Sequence, residues 1–307
     1  MHPRLRSALS AALIVLACLL VPFGAPAAWA AYTLTDTGRY VTTMAPLAAD
    51  PAVRDAVADT VGDGILREVG QHADMTPVRG SVGPFVRDAV RSFTHTRAFR
   101  LAWDTGNRVT HDAVLRALRE DAPAGGAPRA VTVDLAPVTA EVKAQLAEDH
   151  IPLAARIPVR HTEVPVLPAG ELTRYRKGFH MLEVAGLWLP VAAVLFAAAG
   201  IALAVRRRRA IVATALGTAL GGALLGLALT AGRALTLSDL PADVPHPVAA
   251  AVYDTLTSGL RTVSWLLLVL GLAVALTAWL TRRRSARRRG PGGGKSTGSP
   301  TRTRARV

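Results

Sequence analysis

The sequence predicts a mainly α-helical membrane protein. Its expected parts are an exported α-rich (α+β) domain, three C-terminal transmembrane helices and an N-terminal signal or anchor helix. Three observations carry this. Two apolar stretches, 182–205 and 210–232, flank Arg206, Arg207, Arg208 and Arg209, and only Glu183, at an outer edge, is charged within them. About 20 apolar residues cross a bilayer as a helix, and so short a connection forces the pair into a hairpin. A third apolar run, 262–281, is followed by Arg282, Arg283 and Arg284. Near the start, Ala8 to Val21 forms an apolar run behind Arg4 and Arg6.

Charge sets the expected orientation. The chain of 307 residues has a formal charge of +14. Residues 31–180 nevertheless balance, with 18 Lys+Arg against 18 Asp+Glu. The excess lies in Arg4 and Arg6, in Arg206–Arg209, and in ten basic residues after Leu280. Arginine clusters beside apolar runs stay on the cytoplasmic side. The positive charge is therefore an orientation signal, and it argues against nucleic acid as a partner. It places 32–181 outside the cytoplasm and the tail inside, in a multi-pass plasma-membrane protein. Arginine outnumbers lysine 33 to 3, which fits a GC-rich genome and speaks of codons rather than chemistry.

Residues 1–31 read as a signal peptide or a signal-anchor helix. Pro22, Gly24 and Pro26 break the apolar run, and Ala28-Trp29-Ala30 offers a small-x-small cleavage site. Cys18 is the only cysteine, so the domain beyond it has no disulfide and must rest on an apolar core. That domain begins with Asp50-Pro51, an N-cap and first helical residue. Val53, Val57, Val61 and Ile65 then recur every four residues, one face of an amphipathic helix that Gly70 ends. A second helix is expected from Pro84, with Phe85, Val86, Val90 and Phe93 as its apolar face. Ala130 to Leu135 alternates and is β-branched, a strand signal, and Pro137 to Leu146 reads as a helix. Prolines at 152, 158, 165 and 168 assign the following extended chain to edge strands or irregular extended segments rather than a central strand.

The outer loop, 233–261, is expected to be turn-rich as far as Pro247. Beyond it, Val248, Val252, Leu256 and Leu260 form a short amphipathic helix that packs on the exported domain or lies on the outer leaflet. Trp265 and Trp279 bracket the last span as an aromatic belt would. Residues 282–307, rich in Gly, Pro, Ser, Thr and Arg, read as a disordered basic tail able to touch anionic membrane lipid.

The candidate polar site lies on the stripe Phe99, Trp103, Asn107, His111 and Leu115. These residues stand four apart, so they share one helix face, and Asn107 and His111 are its two polar members. Buried polar groups need hydrogen-bond partners. Each either bonds its neighbours within the core or opens a binding or pH-sensing site. No second histidine or carboxylate stands at ligand spacing on that face, so no metal and no cofactor is assigned. Gly217-x-x-x-Gly221 and Gly222-x-x-x-Gly226 let two helices approach closely. The partner helix lies either in the same chain or in a second copy, giving a homo-oligomer. No span carries an interior charge of the kind a pump or transporter uses, and no G-x-S-x-G, H-E-x-x-H or phosphate-binding loop occurs. No catalytic residue is assigned.

The stripe, the phrase Ala45-Pro-Leu-Ala-Ala-Asp-Pro-Ala-Val53 and the strand Val131-Thr-Val-Asp-Leu135 before Pro137 resemble a group of actinobacterial integral membrane proteins. The resemblance covers most of the chain apart from the tail. It implies an N-terminal signal, an exported helical domain and C-terminal spans, and no activity or catalytic residues. The expected role is binding by the extracytoplasmic domain, as an envelope-interaction or sensing component with an envelope protein as partner. The alternatives are a cell-envelope enzyme or its accessory subunit, using Asn107 and His111, and a subunit of a transport complex.

Overall fold

The structure, a computed structural model, describes residues 3–72, 79–120, 130–150, 156, 158–241 and 244–287. The fold is mainly α, and four of its helices are long and apolar enough to cross a membrane. These are α1 (Pro3–Leu34), α7 (Ala169–Leu203), α8 (Arg207–Ser238) and α9 (His246–Arg287). Between α1 and α7 stands a smaller unit, the head. It comprises α2 (Thr37–Met44), a 3-10 turn (Ala45–Ala49), α3 (Pro51–His72), α4 (Arg79–Thr94), α5 (Arg97–Arg119), β1 (Val131–Asp134), α6 (Ala136–Glu148) and β2 (Glu163–Leu167). The Pro/Gly/Ala-rich run 122–128, whose composition reads as a loop, and the tail from residue 288 lie outside the described residues.

The bundle is not assembled in chain order. Helix α1 packs along α7 and, more briefly, on α8, while α8 packs on α9. The N-terminal helix therefore sits inside the bundle. It is continuous through Pro22 and Pro26, where the sequence predicted a break. A bundle tolerates such prolines because packed neighbours re-satisfy the freed backbone groups. Pro22 lies against Gly221 of α8, and Gly24 lies against Pro190 of α7.

Charged positions fall in two planes along these helices. Glu183 to Leu203, Arg209 to Arg233 and Arg261 to Arg282 each span about 30–36 Å of helix, close to the ~30 Å hydrocarbon core of a bilayer. Large residues such as Leu187, Trp188, Leu216, Leu220, Leu266 and Leu270 are exposed along this length, whereas Ala193, Ala215 and Ala219 are buried at the contacts. That is the arrangement of helices solvated by lipid, with small residues where backbones meet.

Two long helices run beyond this slab into the head. The predicted loop 233–261 is mostly helix: α8 continues to Ser238, and α9 starts at His246 and passes into the last span without interruption. Arg233 Nε and Nη2 donate to Asp254 at 3.0 and 3.2 Å, and Arg261 Nη2 donates to the same carboxylate at 2.5 Å. The charges that looked like a loop thus satisfy one another along two helices. The stripe beginning at Val248 packs on the head: Val248, Ala251, Val252 and Leu256 meet a buried cluster of Met44, Leu47 and Val53.

Within the head, Asp50 caps α3 by accepting from Ala52 N and Val53 N at 2.9 and 3.3 Å. Helices α3 and α4 form an antiparallel hairpin, pinned by Arg87–Asp63 at 2.7 Å and Arg91–Asp55 at 3.2 Å. Helix α4 begins at Arg79, so Pro84 lies one turn inside it rather than at its start, and α3 runs past Gly70 to His72. Strands β1 and β2 pair antiparallel, with Thr132 opposite Pro165 and Asp134 opposite Glu163. Both are edges, so Pro165 is tolerated there. Val131 and Val133 are buried, and β1 and α6 pack on α5.

Candidate functional site

Helix α5 is capped by Thr96, whose hydroxyl accepts from Phe99 N at 3.2 Å. Its four-spaced stripe is the spine of the head. Phe99 and Leu115 are buried. Phe99 meets Phe93 edge-on at 6.1 Å and lies tilted 6.2 Å from Trp103. Trp103 Nε1 donates to Met44 O at 3.0 Å, which ties α5 to the end of α2.

The two polar members of the stripe have different surroundings. Asn107 Nδ2 donates to Trp103 O at 2.8 Å, one turn back on its own helix. His111 stacks on Tyr40 with ring centroids 4.1 Å apart and planes 17° apart. Its Nδ1 lies 3.1 Å from Thr37 Oγ1, and the Thr37 hydroxyl donates to Asp112 Oδ1. A hydroxyl has one hydrogen. With that hydrogen on Asp112, His111 Nδ1 must carry its own and donate to Thr37, which fixes the tautomer of the neutral ring. Burial pushes the His111 pKa below its ordinary value; Asp112 and Asp36 pull it up, and Arg119 adds to the fall. Burial likewise raises the Tyr40 phenol. The imidazole is therefore held neutral and oriented between α2 and α5.

A polar cleft of about 680 Å³ opens beside this pair, lined by Asp36, Thr37, Asp112, Arg116, Arg119 and Glu120. A second, of about 440 Å³, adjoins it through Arg119 and Glu120 and reaches Arg176, Lys177, His180 and Glu183 on α7. Arg119 Nη2 donates to Thr35 O at 2.7 Å, and Arg176 Nε donates to Ala117 O at 2.8 Å. These bonds lash the end of α5 to the ends of α1 and α7. The cleft mixes both signs of charge, so it fits a zwitterionic or hydroxylated ligand better than a simple ion. Sequence reading missed it because its residues come from three separated segments with no shared spacing. Among the described residues no three His, Cys, Asp or Glu side chains gather at metal-binding distance.

The glycine pairs of α8 face two different helices of the same chain. A Cβ on Gly217 would strike Cys18, and one on Gly221 would meet Val21 of α1. On the opposite side, Gly222 abuts the backbone of Ser264 and Leu268 in α9, and Gly226 abuts the Ser264 hydroxyl. Ser264 Oγ donates to Gly222 O at 2.8 Å. Arg206, Arg207, Arg208 and Arg209 form the turn between α7 and α8 and its first helical residues, all exposed, and Arg282, Arg283 and Arg284 lie in the last turns of α9.

On α3 and α4 the expected apolar faces are only half covered. Val53 is buried and Val57 packs against its cluster, but Val61, Ile65 and Phe85 are 43, 41 and 74% exposed. Gly62 meets Arg87 and Gly83 meets Leu66 across the hairpin, so the three exposed apolar residues stand at one level of it. No protein-family model matches the chain, and comparison with curated proteins and with solved structures gives no significant match.

Proposed function

We propose that the protein is a multi-pass plasma-membrane protein whose head faces out of the cell and works by binding an envelope protein. The arginine clusters support that orientation, since they gather at the end of the bundle away from the head. The observation that carries the binding role is the α3–α4 hairpin. It is braced by ion pairs yet presents Val61, Ile65 and Phe85 to solvent. Fully covering such a side chain from complete exposure is worth about 1.5–3 kcal/mol; Phe85 retains most of that and Val61 and Ile65 less than half, and an apolar patch kept exposed on a rigid element marks an interaction surface. The head is fixed to α9 through Met44, Leu47, Val53 and Val252, so a partner seated on the hairpin is coupled to the membrane helices.

A photo-cross-linking residue in place of Phe85, in intact cells, tests this. The expected product is a discrete protein adduct that disappears when Val61→Asp and Ile65→Asp are added. A folded head at the cell surface that yields no protein adduct would refute the binding role. The cleft beside His111 favours a second reading, an enzyme or accessory subunit. On that reading a His111→Gln chain would fold and insert normally yet lose its cellular role.

A further inference from the structure

The arginine end of the bundle holds two adjoining grooves on either side of the α7–α8 turn. The larger, about 1010 Å³, runs between α8 and α9, with Arg206–Arg209 at its rim and Val212, Leu216, Ala278 and Trp279 along its wall. The smaller, about 590 Å³, runs between α1 and α8, with Arg4 at its rim and Ile14 and Val15 along its wall. Arg206, Arg209 and Ala213 belong to both. Each groove is thus charged at the level of a membrane surface and apolar below it.

Nothing in the chain's own sequence complements this charge. There is no aspartate or glutamate in residues 1–35, 184–238 or 255–307, which include every segment that reaches this end. The contrast with the head end is direct, where Arg233 and Arg261 share Asp254. Guanidinium groups at a membrane interface bind phosphate bidentately, and basic pockets between membrane helices hold anionic headgroups. A free phosphate would match the rim alone, whereas the wall of Val212, Leu216 and Trp279 also needs an acyl chain against it. We infer that these grooves seat an anionic phospholipid, its phosphodiester on Arg206–Arg209 and its chains along α8. The bound lipid would be a fixed constituent of the fold, bridging α7 and α8, which touch each other far less than α8 touches α9.

Native mass spectrometry of the full chain, released from nanodiscs holding phosphatidylglycerol and phosphatidylcholine in equal amounts, tests this. Wild-type protein should retain phosphatidylglycerol at least tenfold over phosphatidylcholine. Arg207→Gln with Arg208→Gln should abolish that preference, and Arg174→Gln, exposed on α7 in the head-side plane, should leave it intact. Leu216→Trp fills the larger groove at an already exposed position without changing charge, and should also reduce retention several-fold. Equal retention of the two lipids would overturn the inference. So would a Leu216→Trp chain that keeps full preference, since diffuse charge would then suffice. Displacement of the lipid by millimolar glycerol phosphate would show a soluble anion site instead.

Discussion

At the scale of the residue, His111 is where chemistry and stability meet. Its ring is stacked on Tyr40, and its Nδ1–H is committed to Thr37. Replacing it with alanine removes a stacking contact and a hydrogen bond, which together are worth about 1–2 kcal/mol. The sign of its pH dependence follows from burial. The folded-state pKa lies below the unfolded value of about 6.5, so between the two the unfolded chain binds more protons. Stability from this group is complete above pH 6.5 and falls as pH drops through that value towards the folded pKa. The thermal midpoint of the purified full chain should fall between pH 7.5 and 5.5, and the slope should flatten in a His111→Phe variant that keeps the stack. An unchanged slope would place the titration elsewhere. Asp134 has the same sign in a separate, more acid range. Its carboxylate accepts from Ala136 N at 2.9 Å and lies 2.5 Å from His161 Nδ1, and both bonds hold its pKa below the usual value. Its contribution is present above the ordinary carboxylate pKa of about 3.9 and is lost only in more acid solution.

At the scale of the element, the glycines divide into those that meet a neighbour and those that do not. A Cβ on Gly271 would lie 2.4 Å from Ala215 O and 2.7 Å from Ala219 N, and both neighbours are backbone that cannot swing aside. Gly178 of α7 has nothing within 4 Å. Gly271→Leu should therefore part α8 from α9 and lower the melting temperature sharply, by overpacking of about 1–3 kcal/mol or more. Gly178→Ala should raise stability by about 0.5–1 kcal/mol, because alanine loses less entropy in a helix. Melting curves of the two variants in one detergent decide it, and similar losses in both would refute the packing. Much at this scale was legible in the sequence. The Asp50 cap, the α5 stripe with buried Phe99 and Leu115, and the single helix face shared by Val248, Val252 and Leu256 all follow from spacing and side-chain type; that this last face packs on the head rather than on lipid comes from the fold. What spacing does not contain is whether a partner arrives. Val61 and Ile65 share a period with Val53 and Val57, but only the first half of that face meets α9. The continuity of α9 was hidden for a related reason. Arg261 and Asp254 read as loop charges until their pairing, which depends on Arg233 of another helix, is known. The polar cleft was illegible because its residues converge from the start of α2, the end of α5 and the start of α7, three segments far apart in the chain.

At the scale of the whole molecule, the decisive question is whether α1 stays. Export signals and membrane spans share one requirement, about 20 apolar residues behind a basic start, so the sequence leaves both outcomes open. The packing favours retention. Ser10 Oγ donates to Gly200 O at 2.6 Å. Gly186 lies against Ala27 and Ala31, Gly200 against Ile14, and Gly217 and Gly221 against Cys18 and Val21. Trp29, the middle residue of the cleavage signature, packs on Gly259 and beside Leu225, Leu229 and Leu260. Cutting after Ala30 would release α1 and leave four glycines of α7 and α8 facing lipid, a surface with almost no side-chain contact to offer it. The expected result is that the purified protein begins within its first few residues, and that the intact mass corresponds to a chain carrying Arg4 and Arg6. A second measurement tests the architecture independently of processing. With Cys18→Ser removing the native thiol, Gly24→Cys and Leu189→Cys place two Cβ atoms about 3.5 Å apart on facing helices, within reach of a disulfide, and oxidation in native membranes should join α1 to α7 within one chain. An amino terminus at Ala31 or Tyr32 would remove the fourth helix, and with it the smaller arginine groove and the contacts that hold α7 to the rest of the bundle.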